Sequence, residues 1–153
     1  VEDIMTRNPV TVSPEHTVEE TAEILLQKKI SGVPVVDENG EIAGIITRDD
    51  LCKVLIALSG LAKKGIQFAC KIEDRPGSIK ELTDIIRLYD GRIASILSSY
   101  ARVPPGYRIV YIRAYGLDRE KWPKRMAELN TRGEMYYMVD HRENKRQIFH
   151  YLE

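Results

Sequence analysis

One Asn-Gly pair, Asn39-Gly40, constrains the first third of the chain more than any other feature. Asn-Gly favours a tight turn in which both residues adopt positive φ, so that the flanking runs pair as an antiparallel hairpin. The aliphatic run before the pair covers residues 33–36, and the run after it covers residues 42–46. The sequence therefore predicts a β-hairpin here.

A helix is predicted on each side of this hairpin. Thr17 and Glu20 have the spacing of a capping box, in which each side chain accepts from the backbone N–H of the other residue. Apolar residues then recur at helical spacing through residues 18–26, and again through residues 47–58. With a brief strand at residues 10–12, the predicted order is strand, helix, strand, strand, helix.

The formal net charge is zero, but this balance conceals two unlike segments. Residues 1–60 carry 5 basic and 11 acidic residues, a net charge of −6, whereas residues 61–153 carry 18 and 12, a net charge of +6. The sign changes at residues 59–65, which apart from Leu61 are small or basic and typical of a linker. The sequence therefore predicts two small domains joined at residues 61–65. It also lacks the global basic field that drives nucleic-acid binding.

The second segment alternates strand and helix patterns. Strands are predicted at residues 65–72, 92–100, 107–115 and 133–140. One helix is predicted directly after the turn at residues 74–78, and a second helix over residues 118–130. This order predicts a split-βαβ, ferredoxin-like unit of four antiparallel strands with two helices on one face. The fold class is therefore α+β. Residues 142–153 form a tail with apolar residues that can dock on a neighbour or on the domain's own edge.

No catalytic or metal-binding constellation is evident. The three His residues are scattered, and none is paired with Cys or Ser as a nucleophile requires. Cys52 and Cys70 have no metal-ligand spacing, and reduced thiols are typical of a cytoplasmic protein. No phosphate-binding glycine pattern occurs, and no apolar run approaches the ~20 residues that cross a membrane. The sequence therefore predicts a cytoplasmic non-enzyme with no cofactor, metal, membrane or nucleic-acid partner.

The first segment, residues 1–60, resembles one CBS motif, the repeat that pairs into nucleotide-sensing Bateman modules. The resemblance rests on Asn8-Pro9, on residues 33–37 and above all on residues 44–50, Gly-Ile-Ile-Thr-Arg-Asp-Asp, which match the family's G-h-h-T-x-x-D ligand motif. It implies an adenosyl ligand of the AMP, ATP, S-adenosylmethionine or NAD type. Thr47 would bond phosphate or ribose beside Arg48, and Asp50 would accept from the ribose hydroxyls. The implied contacts to the base are Ile45 or Ile46, with help from Val12, Thr17 and Pro34.

The Thr47–Asp50 pair also has a purely structural interpretation, because Thr-x-x-Asp before an apolar run caps a helix without any ligand. The same helix N-terminus favours anions through its free N–H groups. Asp49 adds negative charge there, which favours ligands with few phosphates. CBS motifs work in pairs, and only one is present. We therefore expect its partner either upstream in a longer chain or in a second chain.

The second segment resembles the ACT domain, a regulatory module of amino-acid metabolism, over residues 66–141. The most specific piece is the loop Asp74-Arg75-Pro76-Gly77-Ser78-Ile79 between the first strand and helix. The resemblance implies dimerisation and an effector site, for instance for an amino acid. That site would be lined by Asp74, Gly77, Ser78 and Ile79, with Ile93 or Ser95 opposite. The alternative is a loop that only turns a strand into a helix.

A CBS motif followed by an ACT domain resembles the acetoin-utilisation type of CBS–ACT protein. The resemblance implies a homodimeric, non-catalytic sensor in which an adenosyl ligand reorients paired domains by shifting a conformational equilibrium. The alternative is a constitutive dimerisation and assembly module that binds no ligand.

Overall fold

The structure is a computed structural model that describes residues 5–118, 120 and 127–150. The chain separates into two units between Leu55 and Ile56. Residues 56–65, including the predicted linker, therefore belong to the second unit. In the part of the chain that the structure describes, no helix has the length and apolar character needed to span a membrane.

The predicted hairpin forms the centre of the first unit. Strands β1 (Gly32–Val36) and β2 (Ile42–Thr47) are antiparallel, with Val33 opposite Ile46 and Pro34 opposite Ile45. The prediction that both turn residues have positive φ is wrong, because only Gly40 does, at +80°. The Asp37 carboxylate accepts from the backbone N–H groups of Asn39 and Glu41, both at 2.9 Å, and this bonding holds a wider loop.

Helix α1 (Val18–Gln27) precedes the hairpin and α2 (Arg48–Leu58) follows it. The capping box is confirmed: Glu20 N–H donates to Thr17 Oγ1 at 3.2 Å, and Thr17 N–H donates to Glu20 Oε2 at 2.7 Å. The predicted strand at residues 10–12 is reduced to one parallel bridge between Val12 and Val35. A small core of Val12, Leu25 and Val33 joins these elements.

The second unit is built on one antiparallel sheet of five strands. After a short 3₁₀ turn (Leu61–Lys63) come β3 (Ile66–Glu73), α3 (Ser78–Arg87), β4 (Arg92–Ser99), β5 (Tyr107–Tyr115), β6 (Glu134–Asp140) and β7 (Lys145–Ile148). The strand order is β4-β5-β3-β6-β7, and every neighbouring pair is antiparallel.

The four predicted strands of this unit are confirmed, and β7 corrects the expected number to five. Residues 145–148 of the tail pair with β6, which is the alternative in which the tail docks on the domain's own edge. Of the predicted helix at residues 118–130, residues 127–130 are helical. Residues 119 and 121–126 lie outside the described part, as do residues 1–4 and 151–153.

The two faces of this sheet differ. Phe68, Val110 and Ile112 pack with Leu82 and Ile86 of α3 in the main core. The other face carries a smaller buried cluster of Ala69, Ile109 and Tyr136. Val110 and Ile112 lie on one face of β5 and Ile109 on the other, as the two-residue period of a strand requires.

The predicted linker is anchored to the sheet of the second unit. The Ser59 carbonyl accepts from Arg113 Nε at 2.7 Å and from Ser95 Oγ at 2.8 Å. Gly60 follows with φ of +65°, and a Cβ there would stand 2.9 Å from the Ala94 Cβ. Only glycine fits both this conformation and this close approach.

Candidate functional site

The β2–α2 junction carries the predicted adenosyl site. Thr47 ends β2, and its N–H and hydroxyl donate to Asp50 Oδ2 at 3.0 and 2.6 Å. Asp50 N–H in turn donates to Thr47 Oγ1 at 3.3 Å. These reciprocal bonds are those of a helix cap. They also fix the Asp50 carboxylate at the first turn of α2, where the free N–H groups favour negative charge.

Lys53 completes this arrangement, and sequence reasoning missed it. Its Nζ lies 2.9 Å from Asp50 Oδ1, an i,i+3 contact on the exposed side of α2. Hydrogen bonds from Thr47 and then Lys53 lower the pKa of Asp50 to about 2. Asp50 is therefore ionised at neutral pH. The three-residue spacing of an acid and a base on a predicted helix is the signal that would have found Lys53.

Two further predicted residues, Pro34 and Ile45, lie on the outer face of the hairpin, which is the face turned away from the core of Val12, Leu25 and Val33. Pro34 and Ile45 are cross-strand partners, and strand alternation places Thr47 on the same side as Ile45. The side chain of Ile45 is 66% exposed. The structure therefore brings an apolar strip next to the anchored carboxylate of Asp50, which is the chemistry that a purine and a ribose diol require.

The structure does not bring the other predicted residues to this face. Ile46 packs into the core on the opposite side, so only Ile45 of the two alternatives is available to a base. Val12 is 3% exposed and belongs to the same core. Thr17 is engaged in the α1 capping box. Arg48 directs its Nε to the Ile30 carbonyl at 3.0 Å.

The loop at residues 74–78 is the second candidate site. Arg108 of β5 donates from Nη2 to Ser78 Oγ at 3.2 Å, and its Nε lies 3.4 Å from Asp74 Oδ1. The Tyr100 hydroxyl donates to the same carboxylate oxygen at 3.5 Å. Gly77 has φ of +87° and open space where a Cβ would lie. Asp74, Gly77 and Ser78 are thus together, while Ile79 packs partly into the core.

Ile93 and Ser95 do not lie opposite this loop within one chain. Ser95 of β4 pairs with Arg113 of β5. The loop begins after Glu73 of β3, which pairs with Tyr107 of β5. Tyr107 and Arg113 are six residues apart along β5. At about 3.4 Å per residue this is roughly 20 Å. Ile93 packs into the core, and Ser95 bonds the Ser59 carbonyl.

Tyr100 and Arg108 are contacts of this loop that sequence reasoning missed. The predicted strand at residues 107–115 contained the signal for Arg108, because strand alternation places Arg108 on the same side as Val110, which faces α3. Nothing comparable in the sequence pointed to Tyr100, which lies past the end of β4.

Among the described residues, no three His, Cys, Asp or Glu side chains gather as a metal ion would require. The two cysteines are free, with Cys52 exposed and Cys70 buried. Burial, and secondarily Glu134, raises the pKa of the Cys70 thiol to about 12. Cys70 is therefore protonated and unreactive at neutral pH.

Comparison with known proteins identifies a CBS domain at residues 1–57, which confirms that resemblance for the first unit. An inosine-5′-monophosphate dehydrogenase of Korarchaeum cryptofilum is 47% identical over 51 residues, 33% of this chain and 11% of that protein. Protein MJ1426 of Methanocaldococcus jannaschii is 39% identical over 56 residues, 37% of this chain and 33% of that protein.

A similar solved structure is the CBS domain pair of protein MJ0100 in complex with 5′-methylthioadenosine and S-adenosyl-L-methionine. It is 39% identical, covers 35% of this chain and 44% of its own, and has a TM-score of 0.34. The chain spans about a third or less of the two curated relatives.

Proposed function

We propose that this chain is a non-catalytic regulatory protein whose CBS domain binds an adenosyl ligand on the outer face of the β1–β2 hairpin. The observation that carries the proposal is the Asp50 carboxylate, fixed by Thr47 beside the exposed Ile45. Adenosine presents a vicinal diol and a flat apolar base. The diol donates to Asp50, and the base lies on Ile45 and Pro34.

The hydrogen bonds that Asp50 already makes determine which group a ligand must displace from its carboxylate. A carboxylate has about four acceptor positions, and Thr47 and Lys53 already occupy three of them. A diol that donates twice therefore displaces Lys53. The side chain of Lys53 is 74% exposed, so displacing it costs little, and it is then free to meet a ligand phosphate.

The second unit serves, on this proposal, as an ACT-type domain for dimerisation, with a small-effector site at residues 74–78. This arrangement is that of the acetoin-utilisation type of CBS–ACT protein. The outer hairpin face also supports pairing. Ile42, at the opposite end of β2 from Thr47, is 76% exposed, and a second CBS motif would cover it. The adenosyl ligand then shifts the equilibrium between two arrangements of the paired domains.

Isothermal titration calorimetry with AMP, ADP, ATP, NAD, S-adenosylmethionine and 5′-methylthioadenosine tests the ligand. At least one is expected to bind saturably. Asp50→Asn keeps the shape and removes the charge, so it should weaken binding roughly tenfold to a hundredfold, as for a lost charge-assisted hydrogen bond. Asp49→Asn is the matched control, since Asp49 is a neighbouring exposed acid of α2, and the affinity for 5′-methylthioadenosine, which carries no phosphate, should stay within about twofold.

The alternative is a constitutive assembly module, favoured by the fact that the Thr47–Asp50 bonds also cap α2 without a ligand. The absence of any saturable binding heat with all six ligands would support it. Equal affinities of the Asp50→Asn and Asp49→Asn proteins would remove Asp50 from the site. Sedimentation velocity measures assembly separately. A monomer at every concentration would contradict the dimer that both the regulatory protein and the assembly module require.

A further inference from the structure

Arg113 of β5 is a buried cation whose hydrogen-bond partners, among the residues that the structure describes, are neutral. The residue is 3% exposed, and its Nε and Nη2 donate to the Ser59 carbonyl and to Gln67 Oε1 at 2.7 and 2.5 Å. Its Nη1 is buried and has no hydrogen-bond partner. No ion pair of Arg113 is found within residues 5–118, 120 and 127–150. Burial lowers the pKa of Arg113, because the charge is removed from water without a counter-ion.

His141 lies in the same neighbourhood. Its Nε2 is buried without a partner. Burial, and then the charges of Arg113 and Arg146, lower the pKa of His141, while the Asp140 carboxylate acts in the opposite direction. Gln67 connects the group, since its Nε2 donates to the Tyr137 hydroxyl at 3.3 Å while its Oε1 holds Arg113. Two buried nitrogens without partners therefore lie in one cluster.

A cavity of about 380 Å³ opens beside this cluster, between β3, β6 and β7. Gln67, Tyr137 and His141 form one part of its wall, and the edge strand contributes Arg146 and Ile148. Val139 adds a further apolar side chain. His150 lines the rim and also lies 3.9 Å from Glu134 Oε1, outside the cavity. No Asp or Glu is among the lining residues.

The larger cavity at the other end of β3 has a different charge pattern. It measures about 490 Å³ and contains Lys71, Arg75 and Arg132. Each of these cations is paired, Lys71 with Glu134 at 2.5 Å, and Arg75 and Arg132 with Glu81 at 2.8 and 3.8 Å. The cations of that cavity are paired with acidic side chains of its own wall, whereas no acidic side chain lines the cavity beside Arg113.

We propose that the cavity beside Arg113 binds a small organic monocarboxylate with a short aliphatic part. The carboxylate pairs with the Arg146 guanidinium and offsets the buried charge of Arg113 from the Gln67 side. The aliphatic part lies on Val139 and Ile148. This site is separate from the adenosyl site and from the loop at residues 74–78, so it does not depend on the proposed function.

Propionate is a suitable probe and propionamide its neutral counterpart. Backbone NMR shifts in β6 and β7 are expected to saturate with sodium propionate. They should not do so with propionamide or with sodium chloride at equal ionic strength. Bound propionate should also raise the pKa of His141, followed through its ring Cε1–H resonance, because a nearby anion favours the imidazolium.

Variants separate this site from general charge effects. Arg146→Gln should raise the dissociation constant of propionate about tenfold, whereas Lys145→Gln, with the same charge change on a residue outside the lining, should leave it within about twofold. Arg113 is unsuitable as the main variant, because it also anchors Ser59. The proposal is overturned by unsaturable shifts, by equal binding of propionamide, or by equal affinities of the Arg146 and Lys145 variants. Each of these outcomes leaves the adenosyl titration untouched.

Discussion

Leu25→Ala should strongly destabilise the first unit and leave the stability of the second unchanged. Leu25 is 1% exposed and is one of three residues in the small core, with Val12 and Val33. Leu→Ala substitutions at buried sites cost about 3–5 kcal/mol. A unit of 55 residues has roughly 3–8 kcal/mol of stability at about 0.05–0.15 kcal/mol per residue. The substitution therefore removes a large share, or all, of the stability of this unit.

The sequence provides a selective assay for this prediction. No Phe, Tyr or Trp occurs in residues 1–55, so near-ultraviolet circular dichroism reports on the second unit alone, while the far-ultraviolet signal reports on both. In urea, Leu25→Ala should lower the midpoint of an early far-ultraviolet transition and leave the near-ultraviolet transition in place. Leu26→Ala is the matched control, because Leu26 is 73% exposed and should change stability by about 0.5 kcal/mol or less.

Equal effects of the two substitutions would refute the assignment of the first core to Leu25. A near-ultraviolet transition that moved together with the far-ultraviolet one would refute the independence of the two units. Either result would mean that the stability of the first unit comes from contacts outside its own three-residue core.

Two further predictions concern the second unit. Gly65→Ala should destabilise the protein by about 3 kcal/mol or more, because a Cβ there would stand 1.9 Å from the Ala114 carbonyl oxygen; a urea midpoint within error of the wild type would contradict this packing. A thiol-reactive dye should label one cysteine of the native protein, Cys52, and both after unfolding, since Cys70 is fully buried; rapid labelling of both in the native state would show that the β3 core opens readily.

The sequence predicted elements well where the backbone pattern is strictly local. The pairing of the β1–β2 hairpin, the Thr17 capping box and the alternation of β5 each depend on residues within a few positions of one another. The details that failed involve competition with a side chain or a partner strand. Asp37 widened the hairpin loop by taking two N–H groups, and β7 formed because the edge of β6 was free to pair.

The candidate sites were predictable to the extent that their residues are contiguous. Thr47 and Asp50 are three apart, so the helix cap brings them together in any fold. Lys53 follows from the same spacing. By contrast, Arg113, Gln67 and His141 are brought together by strands β3, β5 and β6, and only the register of the sheet shows that they are neighbours.

The capping role of Thr47 and Asp50 and their proposed ligand-binding role do not exclude each other. A carboxylate that must accept from a diol is more effective when its orientation is already fixed, since less conformational entropy is lost on binding. The bonds from Thr47 N–H and Oγ1 fix Oδ2 and leave Oδ1 to the exposed Lys53. The cap thus holds one oxygen for the fold and presents the other to solvent. A helix cap alone does not require the apolar strip of Pro34 and Ile45 beside it. An adenosyl ligand requires the fixed carboxylate and the apolar strip on the same face.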